Sequence, residues 1–216
     1  MLTGDIVGFI QVYDEYYYDH EDKSGIDVIL IDDTTANSTT SDEYGRFTFE
    51  DIIIGNYMID LKKEGYIKSY TDYNFNHIGG YSPTLLQYSI HEIPGFELYV
   101  DSIVFDEKYY ELNIFGKISG NEGKSFLNWY NIRCFFNDSP FVSKDHFISV
   151  SAGIIELSEG DSSQVSGIIE IYGSLNDMVS DSVYMCAYPE AYGQSLHYFY
   201  FEALGKPSNV TGFIFE

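Results

Sequence analysis

SDEYGRFTFEDIIIGNYMIDLKKEGY, residues Ser41 to Tyr66, strings a turn, a strand, a second turn and a second strand together in period-2 alternation. Asp42 and Gly45 supply the first turn. Phe47 and Phe49 then point to one face of a strand while Arg46, Thr48 and Glu50 point to the other. Gly55 and Asn56 turn the chain into Tyr57, Ile59 and Leu61, which share a face again. The pattern is that of a β-sandwich fragment and carries no reactive group of its own.

Alternation continues upstream. Ile6, Gly8, Ile10 and Val12 alternate with Val7, Phe9 and Gln11, and Ile26 to Ile31 (IDVILI) predicts a second strand. Between them lies the acidic, tyrosine-rich loop DEYYYDHEDKSG, residues 14–25. TTANSTTSDEYG reads as a polar connection, and IKSYTDYNF, residues 67–75, as one further strand ahead of NHIGG. One short strand every ten to fifteen residues or so is the spacing of a Greek-key sandwich.

The whole chain supports that reading. Its 216 residues suffice for two sandwich domains of about 100 residues each. The 21 Tyr and 16 Phe favour a pleated, half-buried surface, and no long segment shows helical periodicity, so little or no helix is expected. The fold class predicted is all-β, two tandem β-sandwich domains. Residues 81–94 (YSPTLLQYSIHEIP) hold two prolines and lose clean alternation, which places the boundary near residue 92, with domains at 1–92 and 93–216.

Charge excludes two partner classes. The formal net charge is −23, with 16 acidic and 5 basic side chains in residues 1–80 and 18 and 6 in residues 81–216. No basic stripe exists to displace counterions from phosphates, so no nucleic-acid partner is expected, and an anionic membrane surface would repel the chain. No apolar run approaches the roughly 18 residues of a transmembrane helix, and residues 1–20 lack the basic and apolar regions of a signal peptide. Met1 stands directly before the first strand pattern, as it would if an export signal had been removed from a mature segment. The even negative charge deters edge-to-edge pairing, so an elongated two-domain monomer is expected.

The opening GDIVG, then Ser24, Gly25 and Val28, then Asp42, Gly45, Phe47 and Phe49, and finally Gly55, Tyr57, Glu64, Gly65 and Tyr66 together resemble the carboxypeptidase regulatory-like domains. These are small transthyretin-like (prealbumin-like) sandwiches, and the resemblance spans roughly residues 4–80. It implies no peptidase activity, since in that family this domain accompanies a catalytic zinc domain and carries none of its ligands. It is similar in style to exported Bacteroidetes lipoproteins, which implies an exported protein of the outer-membrane surface or periplasm, with a lipid anchor on the precursor. The lipid-bearing cysteine of that group is missing here.

In the second half, alternation resumes at Phe96, Leu98 and Val100. Segments at 110–118 and near 126–136, 140–150, 153–158, 165–173, 181–188, 196–203 and 209–215 bring the expectation to about seven to nine strands. VYMCAYPEAYG and the terminal GKPSNVTGFIF resemble the last two strands of immunoglobulin-like or fibronectin type III-like modules. The usual tyrosine six residues before Ala187 is replaced by Asp181. Cys134 and Cys186 lie 52 positions apart in this half. A disulfide or two buried thiols both fit, and thiols are preferred because Cys186 sits inside a strand pattern.

Motifs for chemistry are absent. The sequence holds no GxSxG, GxxxxGK[ST], GxGxxG, HExxH or CxxC, and no H-x-x-E at any of its five histidines. No catalytic residues and no enzyme activity are therefore expected. His20, His77, His91, His146 and His197 each lack a second histidine at metal spacing and read as surface or packed side chains. The sharpest cluster is Asp14, Glu15, Asp19, Glu21 and Asp22. It is either a solvated acidic loop, the preferred reading, or a calcium site at Asp14, Asp19 and Asp22; no other cofactor is expected, and the spacing departs from D-x-[DN]-x-[DN]-G.

Tyr16, Tyr17 and Tyr18 are consecutive in a polar loop and cannot all be buried, so they are candidate binding residues for a glycan or a protein. Tyr198 to Phe201 form another run, read as strand alternation. Three function classes follow. The first is a non-catalytic surface module presenting a protein-binding or adhesive face, the second a glycan-binding protein using loop 14–22, and the third an enzyme with converging carboxylates.

Overall fold

A computed structural model describes residues 2–32, 36–68, 74–120, 129–158, 161–171, 175, 182–191 and 204–214. The described residues form fifteen β-strands and no helix, in two compact units that part after Glu92. The all-β expectation holds in both. Among the described residues no helix is long and apolar enough to cross a membrane.

The first unit contains β1 (Thr3–Tyr13), β2 (Asp27–Ile31), β3 (Ala36–Thr40), β4 (Arg46–Ile53), β5 (Gly55–Lys62), β6 (Tyr66–Lys68), β7 (Asn74–His77) and β8 (Thr84–Glu92). They make two four-stranded sheets, ordered β4-β1-β8-β6 and β3-β2-β5-β7. Ile6, Ile10 and Val12 of β1 meet Val28, Leu30, Phe47, Phe49, Ile59, Leu61 and Ile90 in one core between the sheets. Burying each such side chain contributes about 1.5–3 kcal/mol, so the alternation read from Phe47, Phe49, Tyr57, Ile59 and Leu61 is what joins the layers.

Three local expectations are corrected. The polar connection holds β3, an edge strand of small polar residues whose two wet faces erase the alternation signal. Residues 67–75 are not one strand, because β6 and β7 belong to different sheets; residues 69–73 between them lie outside the described residues. Residues 84–92, read as part of a boundary segment, are the interior strand β8, paired in parallel with β1 and antiparallel with β6. Exposed Leu85 stands beside Leu86 and buried His91 beside Ile90, so apolar letters do not mark one face of this strand.

The second unit contains β9 (Glu97–Asp106), β10 (Glu111–Ser119), β11 (Trp129–Asn137), β12 (Ser149–Ser158), β13 (Asp161–Glu170), β14 (Ser182–Pro189) and β15 (Val210–Ile214). They form one antiparallel sheet ordered β15-β14-β11-β12-β13-β10-β9, wrapped until its two edges lie side by side. Asn209 fastens them: its side chain accepts from Val100 N–H at 2.8 Å and donates to Val100 C=O at 2.9 Å, as a strand neighbour would. The link covers the β9 edge at Val100.

Residues 140–148 are not a strand. They form a turn segment with an isolated bridge between Ser143 and His146, and packing from Val142 and Phe147 against Phe135 and Tyr188 buries the outer face of β11 and β14. Cys134 and Cys186 are both free and buried. Cys134 sits opposite Ala187 and Cys186 opposite Phe135, so alternation sends the two thiols to opposite faces and precludes a bridge. Burial pushes both thiols up from their ordinary pKa. The run 196–203, Asp181 and His197 lie outside the described residues.

Candidate functional site

The loop after β1 is built on Asp14. Its Oδ1 accepts from Tyr16 N–H at 2.9 Å and Tyr18 N–H at 2.7 Å, its own N–H donates to Tyr18 C=O, and its C=O accepts from Tyr17 N–H. The turn before β4 repeats this arrangement. Asp42 Oδ1 accepts from Tyr44 and Arg46 N–H, while Asp42 N–H and C=O bond Arg46 C=O and Gly45 N–H. Tyr17 therefore occupies the place that Gly45 fills in the other copy. Both are left-handed, with φ of 68° at Tyr17 and 79° at Gly45. A residue with a Cβ costs about 1–2 kcal/mol there, so the turn alone does not account for a tyrosine.

Ring stacking accounts for where Tyr17 goes. Parallel pairing places Tyr13, the last residue of β1, opposite His91 of β8. Their rings stack at 5.0 Å, and Tyr17 folds over both, at 4.6 Å from Tyr13 and 5.8 Å from His91 with all planes within 20° of one another. Such contacts are worth about 0.5–1.5 kcal/mol each, enough to offset the backbone cost. The loop holds Tyr16 and Tyr17 half-buried and leaves Tyr18 46% exposed.

Polar groups surround the rings. Tyr66 Oη lies 3.2 Å from His20 Nε2, and the Lys63 ammonium sits over the Tyr66 ring. Burial raises the Glu92 carboxyl, with further upward push from the Glu15 and Asp14 carboxylates against a hydrogen bond from Glu15 N–H. The Tyr66 phenol is raised by burial and by Glu92.

The three aspartates read as possible calcium ligands serve separate partners. Asp14 caps its own loop, Asp19 pairs with Lys23 at 2.8 Å, and Asp22 caps Ser24 N–H, which lowers its carboxyl. Among the described residues, no three His, Cys, Asp or Glu side chains form a group able to hold a metal ion. Among the histidines, His77 is buried between Thr84 Oγ1 and Ile52 C=O, and His146 lies beside Asn137.

Tyr13, Tyr66, His91 and Glu92 escape sequence reading. Tyr13 adjoins the loop in sequence, but His91 and Glu92 reach it only through the parallel β1–β8 pairing and Tyr66 through β6–β8 pairing and its contact with His20, and those pairings leave no local signal in the segments involved.

His91 makes the site sensitive to acid. Its Nδ1 has no hydrogen-bond partner among the described residues, and burial lowers its pKa from 6.5 to about 4. As pH falls, the unfolded chain binds this proton first, so the first unit loses stability between about pH 6.5 and 4, by roughly 3 kcal/mol in total. The raised Glu92 carboxyl acts in the opposite sense, adding stability as it protonates. His91→Phe keeps a ring in the stack and is expected to flatten urea midpoints measured from pH 7 to 4. An unchanged slope would contradict the assignment.

No family model matches the chain, and no curated protein matches it. Similar solved structures include a DUF3823 family protein from Bacteroides uniformis ATCC 8492, 14% identical, covering 99% of this chain and 100% of that one, with a TM-score of 0.34. A candidate carbohydrate binding protein from the same strain is 12% identical over 98% of both chains, with a TM-score of 0.29. BcpA, the major pilin subunit of Bacillus cereus, is 11% identical over 99% of this chain and 69% of that one, with a TM-score of 0.41.

Proposed function

We propose that this chain is a non-catalytic binding module of the cell surface or periplasm, and that the aromatic end of its first unit binds carbohydrate. The observation that carries the reading is Tyr17, held left-handed in a turn that accepts glycine elsewhere in the same unit, with its ring locked on Tyr13 and His91. A fixed ring loses little conformational freedom on binding, and tyrosine faces stack on sugar rings. Exposed Tyr18 and the carboxylates of Glu15, Asp19 and Glu92 supply apolar contact and hydrogen-bond acceptors for hydroxyls around that base. The regulatory-like, transthyretin-like assignment of the first unit, export with a lipid anchor, and a monomeric state belong to the same proposal.

Affinity electrophoresis in gels containing soluble polysaccharides tests it. Retardation is expected for the parent protein and its loss, by at least about tenfold in affinity, for Tyr18→Ala and Tyr17→Gly. Tyr17→Gly keeps the turn geometry, so a normal melt with lost binding isolates the ring. Retention of binding in both variants would move the ligand elsewhere, and hydrolysis of any polysaccharide by the protein would contradict the non-catalytic reading.

A further inference from the structure

The outward face of the second unit carries a row crossing four strands that is apolar on three of them. Val104 of β9 is opposite Asn113 of β10, Asn113 is opposite Ile168 of β13, and Ile168 is opposite Ile154 of β12. Val104, Ile168 and Ile154 are 54%, 51% and 47% exposed, and Phe115, one row further, is 46% exposed. The adjacent pair Ile154 and Ile168, with Val104 across Asn113 and Phe115 one row on, clusters exposed apolar side chains on one face of the sheet, and such patches mark interaction surfaces.

The row on the other flank is acidic. Asp106, Glu111 and Glu170 are direct cross-strand neighbours, and no described lysine or arginine forms an ion pair with them. Like charges directly opposite one another on a sheet are unfavourable, so this row disfavours the isolated fold and favours an arriving cation. A second copy of the chain does not fit, because at −23 it would bring acid to acid.

We infer that this face docks a cationic, amphipathic segment of another protein, its apolar side chains covering Val104, Ile154 and Ile168 and its Lys or Arg side chains meeting Asp106, Glu111 and Glu170. The surface is independent of the tyrosine loop. It combines an apolar centre with a charged rim, the usual division of labour in protein interfaces.

Trp129, the single tryptophan, lies on this face opposite Glu156 and serves as the reporter. The probe is a synthetic strand-length peptide of alternating Leu and Lys, titrated into the full chain with Trp129 emission recorded. A blue shift that weakens with added salt is expected. The charge-neutral double variant Ile154→Ser with Ile168→Ser should bind at least about tenfold more weakly, since both positions are exposed and the fold does not depend on them. Glu111→Gln with Glu170→Gln should flatten the salt dependence. Undiminished binding in the serine variant would reduce the effect to general charge attraction and overturn the inference. Equal binding of a Leu–Glu peptide, a silent Trp129, or a dimer mass by light scattering would each overturn it as well.

Discussion

Glu190→Leu is expected to destabilise the second unit by about 3–5 kcal/mol, measured by urea unfolding followed through Trp129 emission. Arg133 of β11 is buried with 4% of its side chain exposed, and both its Nε and Nη2 donate to Glu190 Oε1. Losing the carboxylate strands a guanidinium that cannot give up its proton at any working pH. The reciprocal change is milder. Burial already pushes the Glu190 carboxyl up from its ordinary value against the pull of Arg133, so in Arg133→Met the acid is able to take a proton and become neutral. Its cost should therefore shrink as pH falls toward the carboxylate range, while that of Glu190→Leu should not. The double variant is expected to recover most of the loss, as apolar replacements of buried pairs do. A double variant no better than Glu190→Leu would mean that the pair is part of a larger polar network.

Gly45→Ala is the second large effect, at least about 3 kcal/mol in the first unit. A Cβ on Gly45 would stand 2.2 Å from Ile10 C=O, and the backbone there has φ of 79°. Relief is blocked because Gly45 C=O accepts from Ile10 N–H at 2.9 Å, which ties the turn to the central strand β1. Gly25 supplies the comparison. Its φ is 72°, but a Cβ would meet nothing within 4 Å, so Gly25→Ala should cost only the backbone penalty of about 1 kcal/mol. Circular-dichroism melts of the two variants separate these cases; equal losses would show that conformation, not contact, sets the role of Gly45.

Where the sequence was legible, one face of a strand was dry and the other wet. Phe47 and Phe49, then Tyr57, Ile59 and Leu61, declare the first core because their intervening neighbours are polar or solvated. The pattern fails at β8, where exposed Leu85 stands beside Leu86 and buried His91 beside Ile90 so that apolar letters do not mark one face, and at β3, where both faces are exposed and polar. The tyrosine loop was visible by composition alone. What Tyr17 does was not, since its partners Tyr13 and His91 meet through a parallel strand pairing and its backbone strain has no signature in the letters around it. The exposed row of the second unit is hidden for a related reason: Val104, Ile168 and Ile154 come into one row, with Asn113 between the first two, only through the registers of three strand pairs.

A glycan array probed with the intact protein, once with calcium and once with a chelator, tests the carbohydrate reading most directly. Specific binding to a defined set of glycans, abolished in Tyr17→Gly and unchanged by chelation, is the predicted result, because the proposed site is made of the rings and not of the dispersed aspartates. A blank array, or binding indifferent to Tyr17→Gly, would contradict it.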